Sequence, residues 1–375
     1  MLILAATLAI LVYGLIAPML GALLPTYSLT SGQQGTLAMI NALGLVIASL
    51  AAGPVIDRQG NKSAQITGLL LVAAALYAVP NAGGYAGLLA VYFVLGFGGG
   101  IVVTGANSLV GAVEPTRRGS ALNFLNLFFG LGGIITTYAA SHLFSPVMLC
   151  YSIATLTVLA LIVNIATKMP GPSGEASFRL SEAPVLLSQP ALILLSFFLF
   201  LYVTCEVGVW NWLNTFLQQS KGFSPGAAGS VVSYGFAFGL LVGRLVVSRV
   251  LVKVPTLQVV LAAAILMAIT TFAMLRLPNQ ASVTVAVFCA GLSMAPVFPT
   301  TLAIVGDTFR RGAATAMGIA ITCGWIGLAV SSKIIGAVKA ESNLGDALLI
   351  IPVCSVLMVV VSLVLRAAAR RPVTA

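Results

Sequence analysis

A single acidic side chain, that of Glu206, lies well inside a long apolar stretch of the sequence. If that stretch crosses a membrane, a charge at its centre costs about 2.5–3.5 kcal/mol on insertion scales, so such a residue usually faces a cavity and has a function. Three roles suit a carboxyl group there: proton carrier, sodium ligand, or acceptor for the hydroxyls of a sugar. The structural alternative is that Glu206 ties neighbouring helices together by hydrogen bonds.

Polar and aromatic residues recur at helical spacing beside Glu206. Trp210 and Asn214 follow it at intervals of four residues, which places the three near one helix face. Asn211 lies beside that face. An acid, an indole and amides suit a sugar, because sugar hydroxyls take directional hydrogen bonds and the apolar face of a sugar stacks on an aromatic ring. The alternative for Trp210 and Trp212 is an aromatic belt at the membrane surface.

Other apolar stretches contribute further candidate substrate ligands. They are amide and aromatic side chains, since polar residues within membrane spans tend to face the helix bundle: Asn41, Asn107, Asn123, Asn126, Tyr234 and Trp325. The alternative for each amide is an interhelical hydrogen bond worth about 0.6 kcal/mol. We expect no Arg or His within the spans to accompany Glu206. A single carboxyl group without such a partner is also compatible with uniport that is not coupled to an ion gradient. An anionic substrate is disfavoured, because we expect no buried Lys or Arg in the binding cavity to balance its charge.

The composition requires these residues to lie on membrane-spanning helices. The chain has 375 residues, of which 59% are hydrophobic and 7% charged, whereas soluble proteins carry about 25% charged residues. A spanning helix needs about 20 apolar residues. The apolar runs predict an all-α integral membrane protein with twelve spans: 2–25, 33–56, 64–82, 85–112, 119–142, 146–167, 189–218, 226–248, 256–276, 281–306, 312–336 and 345–367.

The basic residues sort to one side of this topology. Of the 18 Lys and Arg residues, 14 fall on the side that contains the loop after span 2 and 4 on the other. The positive-inside rule then predicts an inner-membrane protein with both termini in the cytoplasm. The net charge of +10 does not indicate nucleic-acid binding, because the basic residues flank the spans and form no patch.

Enzymatic and metal chemistry is not expected. The five cysteines lie in apolar runs without a CxxC pair, and the single histidine is His142, so we predict no disulfide, no metal site, no cofactor and no catalytic residue. A membrane-embedded enzyme or receptor would be the alternative class, and no HExxH or GxSxG motif supports it. The mechanism needs no oligomer, and we predict a monomer that works in the lipid bilayer.

The chain divides into two similar halves. Residues 168–188 are rich in Pro, Gly, Ser and mixed charge, and they predict a cytoplasmic linker between six-helix bundles at 1–167 and 189–375. The segment from Glu114 to Ala121 resembles the segment from Asp307 to Ala314, and Gly53 corresponds to Gly243 at nearly the same offset. Such duplication is typical of transporters that hold a substrate between two halves.

The loop after span 2 contains a family motif. Residues Gly53 to Lys62 read GPVIDRQGNK, which resembles the G-x-x-x-D-R-x-G-x-[KR] signature of the major facilitator superfamily. A weaker copy, without the Asp, begins at Gly243-Arg244. The resemblance implies alternating access and a gating role for Gly53, Asp57, Arg58 and Arg244. In this family the signature Asp meets the N-terminus of span 11 and helps to hold the outward-open state.

Shorter motifs resemble the fucose permease-like sugar transporters. Span 7 contains Tyr202-Val203 followed by Glu206-Val207, span 10 contains APVFP at 295–299, and span 5 contains LNFLN at 122–126. The resemblance implies a monosaccharide as substrate. The fucose permease itself has acidic residues in spans 1 and 4, and here span 1 has none and span 4 has Val103, so its coupling mechanism does not transfer. The alternative is a drug or metabolite exporter, although span 5 lacks the proline of the exporter motif.

Overall fold

Helices dominate the computed structural model, which describes residues 1–23, 26–171, 183–341 and 343–369. Lipid offers the backbone no hydrogen-bond partner, so each apolar span satisfies its own N–H and C=O groups as a helix. Within those described ranges, twelve helical stretches are long and apolar enough to cross a membrane. We number them spans 1 to 12: Leu2–Leu23, Gln33–Gln59, Asn61–Asn81, Gly84–Val113, Arg118–Ala140, Pro146–Ala166, Pro190–Lys221, Pro225–Val250, Thr256–Arg276, Gln280–Thr308, Ala313–Ser331 and Leu344–Ala368.

The predicted fold class is confirmed, and the predicted boundaries differ from the observed ones by a few residues. Span 2 illustrates the reason for a difference. Its helix, Ser31–Gln59, continues through Asp57 and Arg58, which the sequence places in a loop. The helix ends only at Gly60, whose φ of 84° lies in the left-handed region that favours glycine.

Five of the spans change helix type or break, three of them near prolines. Proline lacks the N–H that an interior helical position requires. Pro18 separates Leu2–Ile16 from Met19–Leu23, Pro80 lies in the 3-10 turn Val79–Asn81 that ends span 3, and Pro296 separates Gln280–Met294 from Val297–Thr308. Span 12 consists of Leu344–Ala347 and Ile350–Ala369. Span 8 consists of Pro225–Ser230, a π-helical turn at Val231–Ala237, and Phe238–Val250.

The first compact unit comprises Met1–Leu187 together with Val305–Thr322. Glycines allow its helices to approach closely. A Cβ on Gly44 of span 2 would lie 2.5 Å from the carbonyl oxygen of Phe93 in span 4, and one on Gly132 of span 5 would lie 2.7 Å from that of Leu11 in span 1. Small residues at such contacts are typical of helix packing in membranes.

The second compact unit comprises Ser188–Ile304 and Cys323–Ala375. At one of its ends, the ammonium of Lys221 donates a hydrogen bond of 2.8 Å to the carbonyl oxygen of Leu277. The division of the sequence into 1–167, 168–188 and 189–375 remains a prediction, and residues 172–182 of that linker lie outside the described residues. The compact units differ from it in one respect, because Val305–Thr322 packs with the first unit.

Candidate functional site

Glu206 lies near the middle of the span 7 helix, Pro190–Lys221, and has a buried cationic partner. Its Oε1 lies 3.9 Å from Nη2 of Arg244 in span 8, and the two side chains are 14% and 3% exposed. The prediction that no Arg accompanies Glu206 within the spans is therefore wrong. Arg244 belongs to the weak copy of the family motif, and its position along the chain does not reveal that its side chain turns towards span 7.

Two aromatic residues with polar groups also face the Glu206 carboxyl group. Tyr202 lies one turn before Glu206 on the same helix and is fully buried, and Trp210 lies one turn after it. The carboxyl group is thus surrounded by one cation, one hydroxyl and one indole. Tyr202 is a residue that the sequence analysis misses as a site member, although its spacing of four residues from Glu206 is the signal that would find it.

Trp210 lies at the border between Glu206 and span 8. Its side chain is 41% exposed, and its ring centroid lies 5.1 Å from that of Phe236 in an edge-to-face arrangement. Phe236 belongs to the π-helical turn Val231–Ala237. Such turns are rare in helices and frequent at functional sites. The same turn presents Tyr234, whose side chain is 75% exposed.

The remaining candidates of the second unit differ in exposure. Asn211 and Asn214 are exposed, and Oδ1 of Asn214 accepts a hydrogen bond of 3.0 Å from Nε2 of Gln218. Trp325 of span 11 is buried. Glu206, Trp210 and Asn214 follow one another at four-residue spacing along span 7, from an acid that is 14% exposed to an exposed amide. Substrate binding by these residues remains a prediction.

Three of the four candidate amides in the first unit are buried: Asn107, Asn123 and Asn126. Nδ2 of Asn126 donates 2.9 Å hydrogen bonds to Oδ1 of Asn107 in span 4 and to the carbonyl oxygen of Leu122. Nδ2 of Asn123 donates to the carbonyl oxygen of Gly119. Only the bond between Asn126 and Asn107 links two helices, as the structural alternative requires, because the other two bonds lie within span 5. Asn41 is partly exposed and packs against Gly96 of span 4.

Asp57 makes the contact that the family resemblance implies. Its carboxylate accepts hydrogen bonds from the backbone N–H groups of Ala314 and Thr315, at 3.2 and 2.8 Å, and from the Thr315 hydroxyl at 2.6 Å. The span 11 helix begins at Ala313, so the carboxylate lies at the positive end of its dipole. Arg58 is exposed beside it. The gating role of these residues remains a prediction.

Gly53 makes that contact possible. A Cβ at this position would lie 2.6 Å from Cα of Thr315 and 2.7 Å from the carbonyl oxygen of Ala314, so only glycine permits this approach. Its counterpart Gly243 is equally crowded, since a Cβ there would lie 2.5 Å from Cβ of Ala295 in the second unit. The duplicated glycine of the motif therefore has the same physical cause in both units.

A further ion pair joins the two repeated segments. Nη1 of Arg118 lies 2.5 Å from Oδ1 of Asp307, and Nε of Arg118 donates a 2.7 Å hydrogen bond to the carbonyl oxygen of Gly111. The sequence shows this acid-x-x-Arg-Arg-Gly pattern only as a sign of duplication. That the cation of one copy pairs with the acid of the other is visible only in the fold of the first unit.

The chain belongs to the Major Facilitator Superfamily, whose family model matches residues 2–332. It is therefore a multi-pass membrane transporter and not an enzyme. The predicted family is confirmed by a match that includes the span 2 motif, Glu206 and Arg244.

Individual similar proteins are distant in sequence and close in fold. Bypass of stop codon protein 6 of Saccharomyces cerevisiae is 24% identical, over 90% of this chain and 76% of the relative. The Escherichia coli fucose:proton symporter FucP is 18% identical with a TM-score of 0.83, covering 97% of this chain and 98% of its own. The proton:xylose symporter XylE is 12% identical with a TM-score of 0.78, covering 96% and 94%. At these identities the likeness shows the fold.

Proposed function

We propose that this transporter moves a monosaccharide across the inner membrane by alternating access, with both termini in the cytoplasm. The observation that carries the proposal is the stripe of Glu206, Trp210 and Asn214 along span 7, which combines an acid, a partly exposed indole and an amide. Each group matches a feature of a sugar. The fold that the chain shares with FucP and XylE supports the proposal, because FucP is a fucose:proton symporter and XylE a proton:xylose symporter.

The second unit supplies most of the proposed substrate contacts. Glu206 and Asn214 take hydroxyl groups, Trp210 stacks on the apolar face of the sugar, and exposed Asn211 and Tyr234 extend the polar surface. Trp325 is buried in the same unit, and it stays a predicted substrate contact.

The first unit contributes amides with two different roles in the proposal. Asn41 is accessible enough to reach a substrate directly. The buried amides Asn126 and Asn107 join spans 5 and 4 by a hydrogen bond, whereas buried Asn123 donates to Gly119 of its own helix; in the proposal the three shape the wall of the site. Substitution of these three is therefore expected to affect folding as well as transport.

In the proposed cycle, the contact between Asp57 and the start of span 11 acts as the gate. Three hydrogen bonds hold Asp57 on the start of span 11, and Val305–Thr322 belongs to the first compact unit although it lies in the predicted second half of the chain. Alternating access requires the halves to rock against each other. In the proposed cycle, release of span 11 from Asp57 and Gly53 opens one side of the transporter, and the hydrogen bonds re-form when that side closes.

Coupling to an ion gradient is assigned to Glu206. A carboxyl group can carry a proton or ligate sodium, and the Glu206 side chain is largely buried but keeps 14% of its surface exposed. The alternative cargo is an anionic drug or metabolite moved by the same mechanism. The position of Arg244 beside Glu206 favours this alternative, which the sequence alone did not, because a buried guanidinium next to the site can balance the negative charge of a substrate.

Uptake into proteoliposomes tests the cargo and the coupling together. The panel contains labelled L-fucose, D-xylose, D-glucose and an organic anion such as benzoate, each with and without proton and sodium gradients. We expect uptake of at least one sugar, and uptake of the anion alone would contradict the sugar proposal. In Glu206→Gln, accumulation above the external concentration should be lost. Asp346→Asn is the control, because Asp346 is an exposed acid paired with Arg276.

Trp210 provides a separate test of sugar stacking. Trp210→Phe keeps an aromatic ring against Phe236, whereas Trp210→Ala removes it. We expect the KM for the transported sugar to rise severalfold in the alanine variant and much less in the phenylalanine variant. An equal KM in both variants would show that the ring does not bind the sugar.

A further inference from the structure

Two cysteines meet where spans 7 and 12 pack together inside the second unit. Cys205 lies in span 7, directly before Glu206, and Cys354 lies in span 12. Both are free thiols, and the two residues are 0% and 7% exposed. The thiol of Cys205 is in hydrogen-bond contact with the sulfur of Cys354. Two residues that are far apart in the sequence therefore bring their sulfur atoms together in the interior of this unit.

The contacts of Cys205 fix its position against span 12. Its Sγ donates a hydrogen bond of 3.4 Å to the carbonyl oxygen of Ile351 and lies 3.9 Å from Oγ of Ser355. Ile351 and Ser355 lie on either side of Cys354 in the sequence, so these distances place the Cys205 thiol against the turn that contains Cys354. Nearly one turn later on span 7, a Cβ at Gly208 would lie 3.4 Å from Cδ1 of Ile351, so the two helices remain in contact beyond the cysteines.

The two thiols differ in their access to the lipid. Cys354 keeps part of its surface exposed beside a stripe of exposed apolar residues on span 12, whereas Cys205 is fully enclosed. The stripe includes Val353, Val356 and Leu357. An exposed apolar stripe on a membrane span faces lipid. A reagent that is dissolved in the lipid therefore meets Cys354 first, and Cys205 lies in contact behind it.

We propose that Cys205 and Cys354 form a reversible disulfide when a lipid-soluble two-electron oxidant reaches Cys354, and that this bond ties span 7 to span 12. The sulfur atoms of a disulfide lie about 2.0 Å apart, and thiols in contact approach this distance by rotation of their side chains. The product carries no charge, which suits an apolar interior. Because Cys205 directly precedes Glu206, the bond holds the part of span 7 that carries the candidate site.

The chemistry follows the two steps of thiol–disulfide exchange when the oxidant is an aromatic disulfide such as dithiodipyridine. In the first step, Sγ of Cys354 attacks one sulfur of the reagent, the S–S bond of the reagent breaks, and one thiopyridone leaves with the thiol proton. In the second step, Sγ of Cys205 attacks Sγ of Cys354, the mixed disulfide breaks, and a second thiopyridone leaves with the Cys205 proton. The two thiols lose two electrons in total, and the reagent gains them.

Oxidation by dithiodipyridine in proteoliposomes tests the pair in the full-length protein. The protein carries Cys150→Ala, Cys289→Ala and Cys323→Ala, which leaves Cys205 and Cys354 as the only thiols of the five in the chain. Released thiopyridone is measured by its absorbance, and the intact protein is weighed by mass spectrometry. Two matched variants in the same background replace either Cys205 or Cys354 with serine. The wild-type protein is oxidised in parallel and digested, so that the peptides joined by a disulfide are identified even if the alanine background does not fold.

We expect the protein with both thiols to release two thiopyridones, to lose two hydrogen atoms and to retain no adduct. Cys205→Ser should release one thiopyridone and retain the adduct on Cys354. Cys354→Ser should react much more slowly, because Cys205 is enclosed. The charged reagent dithiobis(nitrobenzoate), which does not enter lipid, should leave the pair reduced.

The bond should also change the properties of the protein. We expect the unfolding temperature to rise by several degrees on oxidation, because a cross-link between distant residues restricts the unfolded chain. Uptake of a transported solute should become severalfold slower, because span 7 is tied to span 12. Dithiothreitol should reverse both effects, and neither should occur in Cys354→Ser.

Any of four results would overturn the proposal: an adduct that stays on Cys354 although Cys205 is present, equally fast oxidation by the charged reagent, an unfolding temperature that oxidation does not raise, or uptake that oxidation does not slow. Formation of the bond does not depend on the cargo. A protein that forms the disulfide and transports no sugar would refute the proposed cargo and leave the cysteine pair intact. A protein that transports sugar and keeps both thiols reduced would do the reverse.

Discussion

Two carboxylates within the helical spans, Asp57 in the first unit and Glu206 in the second, have opposite surroundings. Asp57 accepts three hydrogen bonds of 2.6–3.2 Å from the first residues of a helix. Glu206 faces a guanidinium at 3.9 Å, a tyrosine and a tryptophan. Asp57 is held by donors that cannot turn away, because two of them are backbone groups. The partners of Glu206 are side chains, which can move, so this carboxylate suits a role in which its charge changes.

The largest effect is expected when the approach of span 11 to Asp57 is blocked. Gly53→Ala places a methyl group 2.6 Å from the Thr315 backbone, which must move away and lose the hydrogen bonds to Asp57. Overpacking costs about 1–3 kcal/mol, and we expect a lower unfolding temperature with near loss of transport. Gly35→Ala in the same helix is the control, because a Cβ there meets no atom within 4 Å. Equal behaviour of the two variants would show that the approach is dispensable.

Removal of the Asp57 charge should have the next largest effect. Asp57→Asn keeps the shape of the side chain and weakens the bonds to the helix start. Hydrogen bonds to charged groups contribute about 1.5–3 kcal/mol each, so we expect at least a tenfold lower transport rate in proteoliposomes. Asp346→Asn serves as the control for loss of an exposed carboxylate. If Asp57→Asn transports at the wild-type rate, Asp57 has no gating function.

A smaller effect is expected from loss of one hydroxyl beside Asp57. Thr315→Val removes the 2.6 Å bond and leaves both backbone donors in place. We expect a loss of about 1–2 kcal/mol in the free energy of unfolding. Thr315→Ser, which keeps the hydroxyl, should lose less. A loss in the serine variant as large as that in the valine variant would show that the hydroxyl contributes no more to stability than the methyl group does.

The smallest effect on stability is expected from the matching change beside Glu206. Tyr202→Phe removes the hydroxyl that faces this carboxyl group, and we expect less destabilisation than in Thr315→Val. The variant should instead change the pH dependence of transport in proteoliposomes, because it alters the polar surroundings of Glu206. A larger loss of stability in Tyr202→Phe than in Thr315→Val would contradict the comparison, because it would show that Glu206 is held more firmly by its neighbours than Asp57 is.

The sequence predicts those features that depend on local pattern. Apolar length predicts all twelve spans, and the motif at Gly53–Lys62 predicts the family and the contact of Asp57 with span 11. The glycine pattern of that motif has a direct physical cause, since Gly53 permits close packing and Gly60 adopts a positive φ.

The sequence does not predict pairings between side chains on different helices. Arg244 counts as a basic residue near the end of span 8, and only the rotation of that span turns it towards Glu206. The same limit applies to Asn107 and Asn126, whose mutual hydrogen bond depends on how spans 4 and 5 are packed. In both cases the residue types are informative, and the partner is decided by helix rotation, which a single sequence does not contain.

The π-helical turn Val231–Ala237 has a consequence for alignments of span 8 with other members of the family. A π-helical turn accommodates one more residue than an α-helical turn, because its hydrogen bonds run from residue i to i+5. The turn therefore absorbs a one-residue insertion without displacing the flanking helix. In relatives whose span 8 is uninterrupted, a one-residue gap is expected at this turn, and the position equivalent to Arg244 should align again beyond the gap.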